Sequence, residues 1–245
     1  MNSIRSRLEI VKNLVKEYDI DVLCIQEIKV ENEKFPLIDE EFECVIHGQK
    51  KLHGVATCSK YPIEKFQKGF DGELNEPRFI YTLINNIHII NIYAPLGDNY
   101  AQRFEYKMYF YDKLFEWLEK FDFNNEKILI CGDFNISHTS LDVWDELIWE
   151  GEVTHLPEER AILSKFLDMG FIDVIRKVYP NEKVFTFYDY RGGAVYKKEG
   201  LRLDYILVTK PLFEKFKSLE ILTSIRRKRK PTPSDHVPII AEFEV

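Results

Sequence analysis

The stretch Ile128-Leu-Ile-Cys-Gly-Asp-Phe-Asn135 decides how the rest of the chain is read. Its apolar run, Ile128 to Cys131, has the composition of a strand buried on both faces. Gly132 lets the backbone turn or approach closely. Asp133 and Asn135 follow at i and i+2, and they share a face if the strand continues. A carboxylate and a carboxamide at the end of a buried strand make a polar site. An Asx-rich turn that closes the strand accounts for the same eight residues.

Three other stretches change the balance. Val22-Leu-Cys-Ile-Gln-Glu-Ile28 is an apolar run that carries Glu27. Leu201-Arg-Leu-Asp-Tyr-Ile-Leu-Val208 places Asp204 in an apolar strand. Pro233-Ser-Asp-His-Val-Pro238 presents Asp235 and His236 just before the strand-like Ile239-Ile-Ala-Glu-Phe243. A charge within an apolar strand is costly unless it is paired or binds metal. Four such events, each at or in a strand, point to one convergent acidic site.

The 245 residues suit one large domain or two small ones, and 45% hydrophobic content supplies ample core. A net charge of −7 argues against a simple DNA-coating protein but leaves room for a nucleic-acid enzyme with a local basic surface. Cys24, Cys44, Cys58 and Cys131 lie in apolar contexts and form no CxxC pair. They read as reduced core thiols in a reducing compartment, which predicts a cytoplasmic location. No apolar run reaches the ~18–20 residues needed to span a bilayer, and no secretory leader opens the sequence.

Along the chain, Ile4, Leu8, Val11 and Val15 make one stripe of a helix over 3–18, with Asn2 or Ser3 as N-cap. A strand over 21–28 ends at Glu27. Two short strands occupy 45–59, and a hairpin turns at Asn85-Asn86 between strands 78–84 and 87–93. A helix over 101–121 carries Arg103 and Lys107 four apart, as a solvated face or a pair of phosphate contacts. The connection over 137–157 is long for a structureless loop, so it is partly helical or functional. A helix over 159–169 follows, with Pro157 in its first turn and Gly170 as its C-cap. Phe185-Thr-Phe-Tyr-Asp-Tyr-Arg191 is strongly aromatic, whether as a core strand or a pocket wall. A flexible basic loop is expected over 192–200. Arg226-Arg-Lys-Arg-Lys-Pro231 has five consecutive positive charges, a solvated loop by itself or a phosphate-holding one beside His236. With no repeat or low-complexity hinge, a single domain is expected.

Gly-Asp-Phe-Asn upstream of a near-terminal Ser-Asp-His-x-Pro, with Gln-Glu in an early strand, resembles the endonuclease/exonuclease/phosphatase superfamily. The Asp-Tyr-Arg run and Leu156-Pro-Glu-Glu-Arg160 make the exonuclease III family of abasic-site endonucleases the closer match. The resemblance extends from Asn2 to the C-terminus. It implies an α/β (α+β) fold, a four-layer sandwich of two packed mixed β-sheets flanked by helices, similar to deoxyribonuclease I. It also implies hydrolysis of the phosphodiester 5′ to an abasic site, with 3′→5′ exonuclease and 3′-end cleaning. The expected partner is duplex DNA with abasic sites or blocked 3′ ends, bound by a monomer that needs no membrane.

Carried over residue by residue, the resemblance makes His236 the phosphate-facing imidazole, oriented by Asp204. Asp133 holds or deprotonates the attacking water, Asn135 donates to a phosphate oxygen, and Tyr93 hydrogen-bonds near the scissile phosphate. Glu27, with Asp235 or Asn2, holds Mg²⁺ or Mn²⁺. Phe187 walls a pocket for a baseless sugar with Leu201 opposite, and Arg191 holds a phosphate oxygen. By charge and position alone, Arg103, Lys107, Arg227 and Lys228 are further candidates for DNA contacts. The N-terminus departs from the pattern: Met1-Asn2-Ser3 matches only the end of an Asn-x-Asn/Asp turn, and the strand that precedes it in the family is absent from the sequence. A start downstream of the true one is the expectation that follows. Two other readings remain, a phosphatase or phosphodiesterase of the same fold acting on RNA or a phosphoinositide, and a DNA-binding module without turnover.

Overall fold

A computed structural model of the protein describes residues 1–70 and 76–245. In chain order the strands are β1 (Val22–Gln26), β2 (Glu43–His47), β3 (Val55–Ser59), β4 (Lys65–Lys68), β5 (Phe79–Ile84), β6 (Ile87–Tyr93), β7 (Ile128–Asp133), β8 (Ile172–Asp173), β9 (Asp204–Val208), β10 (Phe216–Ile221) and β11 (Ile239–Phe243). The α-helices are α1 (Ile4–Glu17), α2 (Gln102–Leu118), α3 (Glu146–Trp149), α4 (Pro157–Asp168), α5 (Val174–Val178), α6 (Ala194–Lys197), α7 (Lys210–Phe213) and α8 (Thr223–Arg226).

Six strands form one mixed sheet in the order β4-β5-β6-β7-β9-β8, in which β6 and β7 run parallel and the other neighbours antiparallel. The all-antiparallel sheets β1-β3-β2 and β10-β11 cover its opposite halves on one face. Among the described strands, β1 and β11 each pair on one side only. The other face of the large sheet is closed by α2 and α4. Phe110, Leu114 and Phe115 from α2 meet Ile162 and Phe166 from α4 over Ile90 and Ile130. Helix α1 lies outside the small sheets. Ile4, Val11 and Val15 pack on Ile25, Ala56 and Cys58, while Ile10 reaches Leu222 and Ile225. Each such aliphatic side chain contributes up to about 1.5–3 kcal/mol on burial. These four layers match the fold that the sequence motifs imply.

Local chemistry explains the joints. Asn85 and Asn86 both have positive φ, 50° and 58°, as the two-residue hairpin turn between β5 and β6 requires. Neither Asn2 nor Ser3 caps α1 with its side chain; the Ser3 and Ile4 N–H groups donate to the Glu27 and Ile28 carbonyls, so the helix is docked on the end of β1. Gly132 has φ +130°, and a Cβ there would lie 2.0 Å from the Ile92 carbonyl oxygen, so only glycine lets β7 run this close to β6.

Three expectations are corrected. The 192–200 segment is not simply a loop, since it contains α6, entered through Gly193 and left through Lys198, both left-handed. The aromatic run 185–191 makes isolated bridges rather than a strand. The cysteines are not all reduced, because Cys44 and Cys58 form a disulfide. They sit directly opposite in the β2–β3 register with Cα atoms 4.0 Å apart. Two cysteines separated by 14 residues show this pairing only once the strand register is known. That pairing removes the basis for inferring a reducing compartment from unpaired cysteines. No helix of the described residues is long and apolar enough to cross a membrane.

Candidate active site

The strand registers themselves assemble the centre. Tyr93 at the end of β6 lies opposite Asp133 at the end of β7, which lies opposite Asp204 at the start of β9. One row across three neighbouring strands therefore carries a phenol and two carboxylates. His236, from the turn before β11, enters between the carboxylates. Its Nδ1 is 2.8 Å from Asp204 Oδ2, and its Nε2 is 3.7 Å from Asp133 Oδ2. The Leu203 and Asp204 N–H groups donate to the Thr186 hydroxyl, fixing the start of β9. The Asn135 N–H donates to Asp133 Oδ1 at 2.9 Å, and its side-chain amide donates to the Ala94 carbonyl at 2.8 Å. With φ +51°, Asn135 has left the strand, so the Asx turn and the polar site are one structure.

Burial and charge set the protonation of this row. Burial pushes Asp133 up to about 7, opposed by the positive charge of His236 and reinforced by Asp204. Burial alone would lower His236, but Asp204 and Asp133 outweigh it and hold the imidazole at about 9. Near neutral pH the pair is an imidazolium beside a carboxylate that exchanges its proton easily, which suits acid–base work. Burial, Glu27 and Asp133 keep the Tyr93 phenol neutral, so its proton is available to donate. The Arg78 guanidinium lies 4.9 Å over the Tyr93 ring and donates to the Tyr93 carbonyl at 3.1 Å.

Beside this row, oxygens gather around a cation. Lys29 Nζ is 2.9 Å from Glu27 Oε1 and 2.8 Å from Asn2 Oδ1. Two hard oxygen donors already converge on one positive position, which is the donor chemistry that Mg²⁺ or Mn²⁺ takes. Asp235 adjoins this group through the Tyr190 hydroxyl. Its N–H donates to the Tyr190 hydroxyl at 2.9 Å, that hydroxyl accepts from Arg7 at 2.8 Å, and it also meets the Asn2 side chain. Asp133, Asp204 and His236 also bring ligand atoms within 4.8 Å of one another, though the short His236–Asp204 bond fits proton transfer better than metal ligation.

The expected DNA contacts are distributed less uniformly. Phe187 is half-buried, its ring 5.2 Å from that of His236, and it bridges to Leu201. Leu201 packs on Val143 and Leu203 and is 3% exposed, so it supports Phe187 from below and does not wall an open pocket. Arg191, Arg103, Arg227 and Lys228 are exposed. Arg226, first of the basic run, is buried and donates to the Tyr188 and Asp189 carbonyls. Lys107 is a correction. It is fully buried, and its Nζ lies 2.5 Å from Glu159 Oε1, 2.6 Å from the Asn135 carbonyl and 3.1 Å from the Leu96 carbonyl. It braces the loop that carries Asn135 and cannot touch a phosphate.

The Endonuclease/Exonuclease/phosphatase family profile matches residues 2–236. This chain belongs to that family. The exodeoxyribonuclease III of Haemophilus influenzae is 37% identical, with all of this chain and 97% of that protein aligned. The structure of an AP endonuclease from Archaeoglobus fulgidus superposes with a TM-score of 0.94 at 39% identity, covering all of this chain and 96% of that one. A variant of the 3′ phosphatase NExo from Neisseria, bound to a product DNA hairpin, superposes with a TM-score of 0.94 at 30% identity and the same coverage. The family is one of divalent-metal-dependent nucleases, and among the described residues Asp133, Asp204 and His236 form a group that could hold an ion.

Sequence reading passed over several residues that build this family site. Lys29 follows Glu27 by two, a spacing that could have suggested a paired cation. Arg202 sits two before Asp204, an equally costly charge in the same apolar stretch. It is fully buried and holds Asp142 and Asp173 through bonds of 2.6 Å to each. Arg78 is paired locally with Glu76 at 2.5 Å, and its contact with Tyr93 comes only from the fold; Tyr190 stands in the Asp-Tyr-Arg run, but its partners Arg7 and Asp235 lie far away in sequence.

Proposed function

We propose that the protein is a metal-dependent DNA repair nuclease that hydrolyses the phosphodiester on the 5′ side of an abasic site, leaving a 3′-hydroxyl and a 5′-deoxyribose phosphate. The observation that carries this reading is His236 held between the carboxylates of Asp204 and Asp133, in one row with Tyr93, whose phenol also feels the charge of Glu27. Asp133, as carboxylate, takes a proton from the attacking water. His236, as imidazolium held by Asp204, faces the scissile phosphate and offsets its charge. Asn135 and Tyr93 donate to phosphate oxygens. Glu27 and Asn2, with Asp235 nearby, would hold Mg²⁺ or Mn²⁺, which when bound neutralises charge on the phosphate or the leaving oxygen. Phe187 flanks the imidazole as an apolar surface for the baseless sugar. Arg191, Arg103, Arg227 and Lys228 engage the backbone, and the protein acts as a single-domain monomer.

The names of its relatives support 3′→5′ exonuclease and 3′-end processing by the same centre. The test is cleavage of a labelled duplex carrying one abasic analogue, with Mg²⁺ or with EDTA, beside His236→Ala. A 3′-phosphate duplex and an inositol phosphate serve as comparison substrates. A metal-dependent nick on the 5′ side, lost in the variant, is expected. Turnover of the inositol phosphate alone, or of nothing, would overturn the reading.

A further inference from the structure

We propose that Cys24 and Cys131 are an oxidation site: a hydroperoxide closes them into a second disulfide that staples the two β layers beneath the active centre and slows it. Cys24 lies on β1, three residues before Glu27. Cys131 lies on β7, two residues before Asp133. Register alone sets them face to face. Cys24 is opposite Thr57 on β3, and Cys131 is opposite Asn91 on β6. The Asn91 amide crosses between the layers and donates to Thr57 Oγ1 at 3.3 Å and to the Ala56 carbonyl at 2.9 Å. The strand partners of the two cysteines are therefore bonded to each other, and the thiols share the same interlayer space.

The thiols meet there. The Cys24 thiol is the neighbour that acts on Cys131, and together with burial it pushes the Cys131 thiol well up. Both cysteines are only half-buried, which admits a molecule as small as hydrogen peroxide. The existing disulfide does not compete. Cys58 is opposite Leu23 on β1, so its sulfur points to the other face of the sheet, towards α1. Cys131 keeps its proton, so the first attack is assigned to Cys24. Its thiolate attacks one peroxide oxygen, the O–O bond breaks, and hydroxide leaves. The Cys131 sulfur then attacks the Cys24 sulfenic acid, forming the S–S bond and releasing water. Overall, two thiols and one peroxide give one disulfide and two waters, the thiols being oxidised and the peroxide reduced.

The consequence for activity follows from distance. A sulfur–sulfur bond is about 2 Å long, much shorter than a contact between two thiols. Closure must draw β1 and β7 together, and the ends of those strands carry Glu27 and Asp133. A displacement of about 1 Å in reacting geometry costs on the order of 10²-fold in rate.

The experiment treats the full-length protein with peroxide and digests it without reduction, then looks for the Cys24–Cys131 linked peptide. Duplex cleavage is measured in parallel, before and after brief dithiothreitol, for the unaltered protein and for Cys24→Ser and Cys131→Ser. The expected result is the linked peptide, a loss of activity of roughly tenfold or more, recovery on reduction, and no loss in either variant. Failure to find the linked peptide in the unaltered protein would overturn the proposal, whatever the variants do. A linked peptide with unchanged activity would overturn the effect on catalysis. The rate readout rests on the nuclease reading, whereas the linked peptide does not; an untreated protein without activity would count against that reading alone.

Discussion

Replacing Lys107 with Met keeps the length of its stem and removes its charge. The structure then leaves Glu159 as a carboxylate with no exposure, and it leaves the Asn135 and Leu96 carbonyls without their donor. Breaking a buried ion pair from one side costs about 3–5 kcal/mol, most of it from the stranded charge. For a chain of this length each kcal/mol lowers the melting temperature by about 2–4 °C, so a fall of roughly 6–20 °C is expected. Urea denaturation at pH 7.5 gives the free energy directly. Burial already raises Glu159 and Lys107 opposes this, so removing the lysine raises it further. The stability defect is therefore full at alkaline pH and shrinks as pH falls and Glu159 takes a proton. Glu159→Gln in the same chain removes the stranded charge but keeps an acceptor for the Leu156 N–H, and it should restore more than half of the loss. Catalysis should fall in Lys107→Met with or without Glu159→Gln, because the loop that holds Asn135 loses its brace in both. A variant of unchanged stability whose DNA binding loses salt dependence would refute this account and return Lys107 to the phosphate backbone.

In Asp204→Asn an acceptor for His236 Nδ1 remains but the charge does not. The pH–rate profile should rise through about 7, as Asp133 loses its proton, and fall through about 9, as His236 loses its own; in the variant the falling limb should move down by about one pH unit or more. With Glu27→Gln, the Mg²⁺ concentration for half-maximal cleavage should rise by roughly 10–100-fold, and an unchanged metal titration would remove Glu27 from the metal site. Replacing Arg227 and Lys228 by Ala should lessen the slope of log affinity against log salt by up to about 0.9 for each phosphate that the variant no longer neutralises, with the fold and the cleavage position unaltered.

The fold was legible because its strands announce themselves. The runs ending at Glu27, Tyr93 and Asp133 became β1, β6 and β7, and the Asn85-Asn86 turn set the register of β5 on β6, while the parallel β6–β7 pairing brings Tyr93 beside Asp133. The centre was legible for a related reason: Asp133, Asp204 and His236 are polar residues at apolar strand ends, where an unpaired charge is expensive. Burial of long side chains was not legible. Arg103 and Lys107 share a helical spacing, yet one is exposed and the other lies beneath α4, and only the packing of two helices separates them. The same holds for Leu201 under Phe187 and for the Cys44–Cys58 bond, each fixed by a neighbour distant in sequence.

Gly132 sets a limit on how this protein can be altered. The row of Tyr93, Asp133 and Asp204 has its spacing because one backbone touches another with no side chain between them. A single methyl group at residue 132 would act as a wedge, separating β6 from β7 at the point where their final residues must meet. Repacking the core cannot compensate, since the obstacle is a carbonyl oxygen of the main chain. A mutational survey that scores folding and cleavage separately should find position 132 intolerant in both, with even alanine rejected, although its residue performs no chemistry.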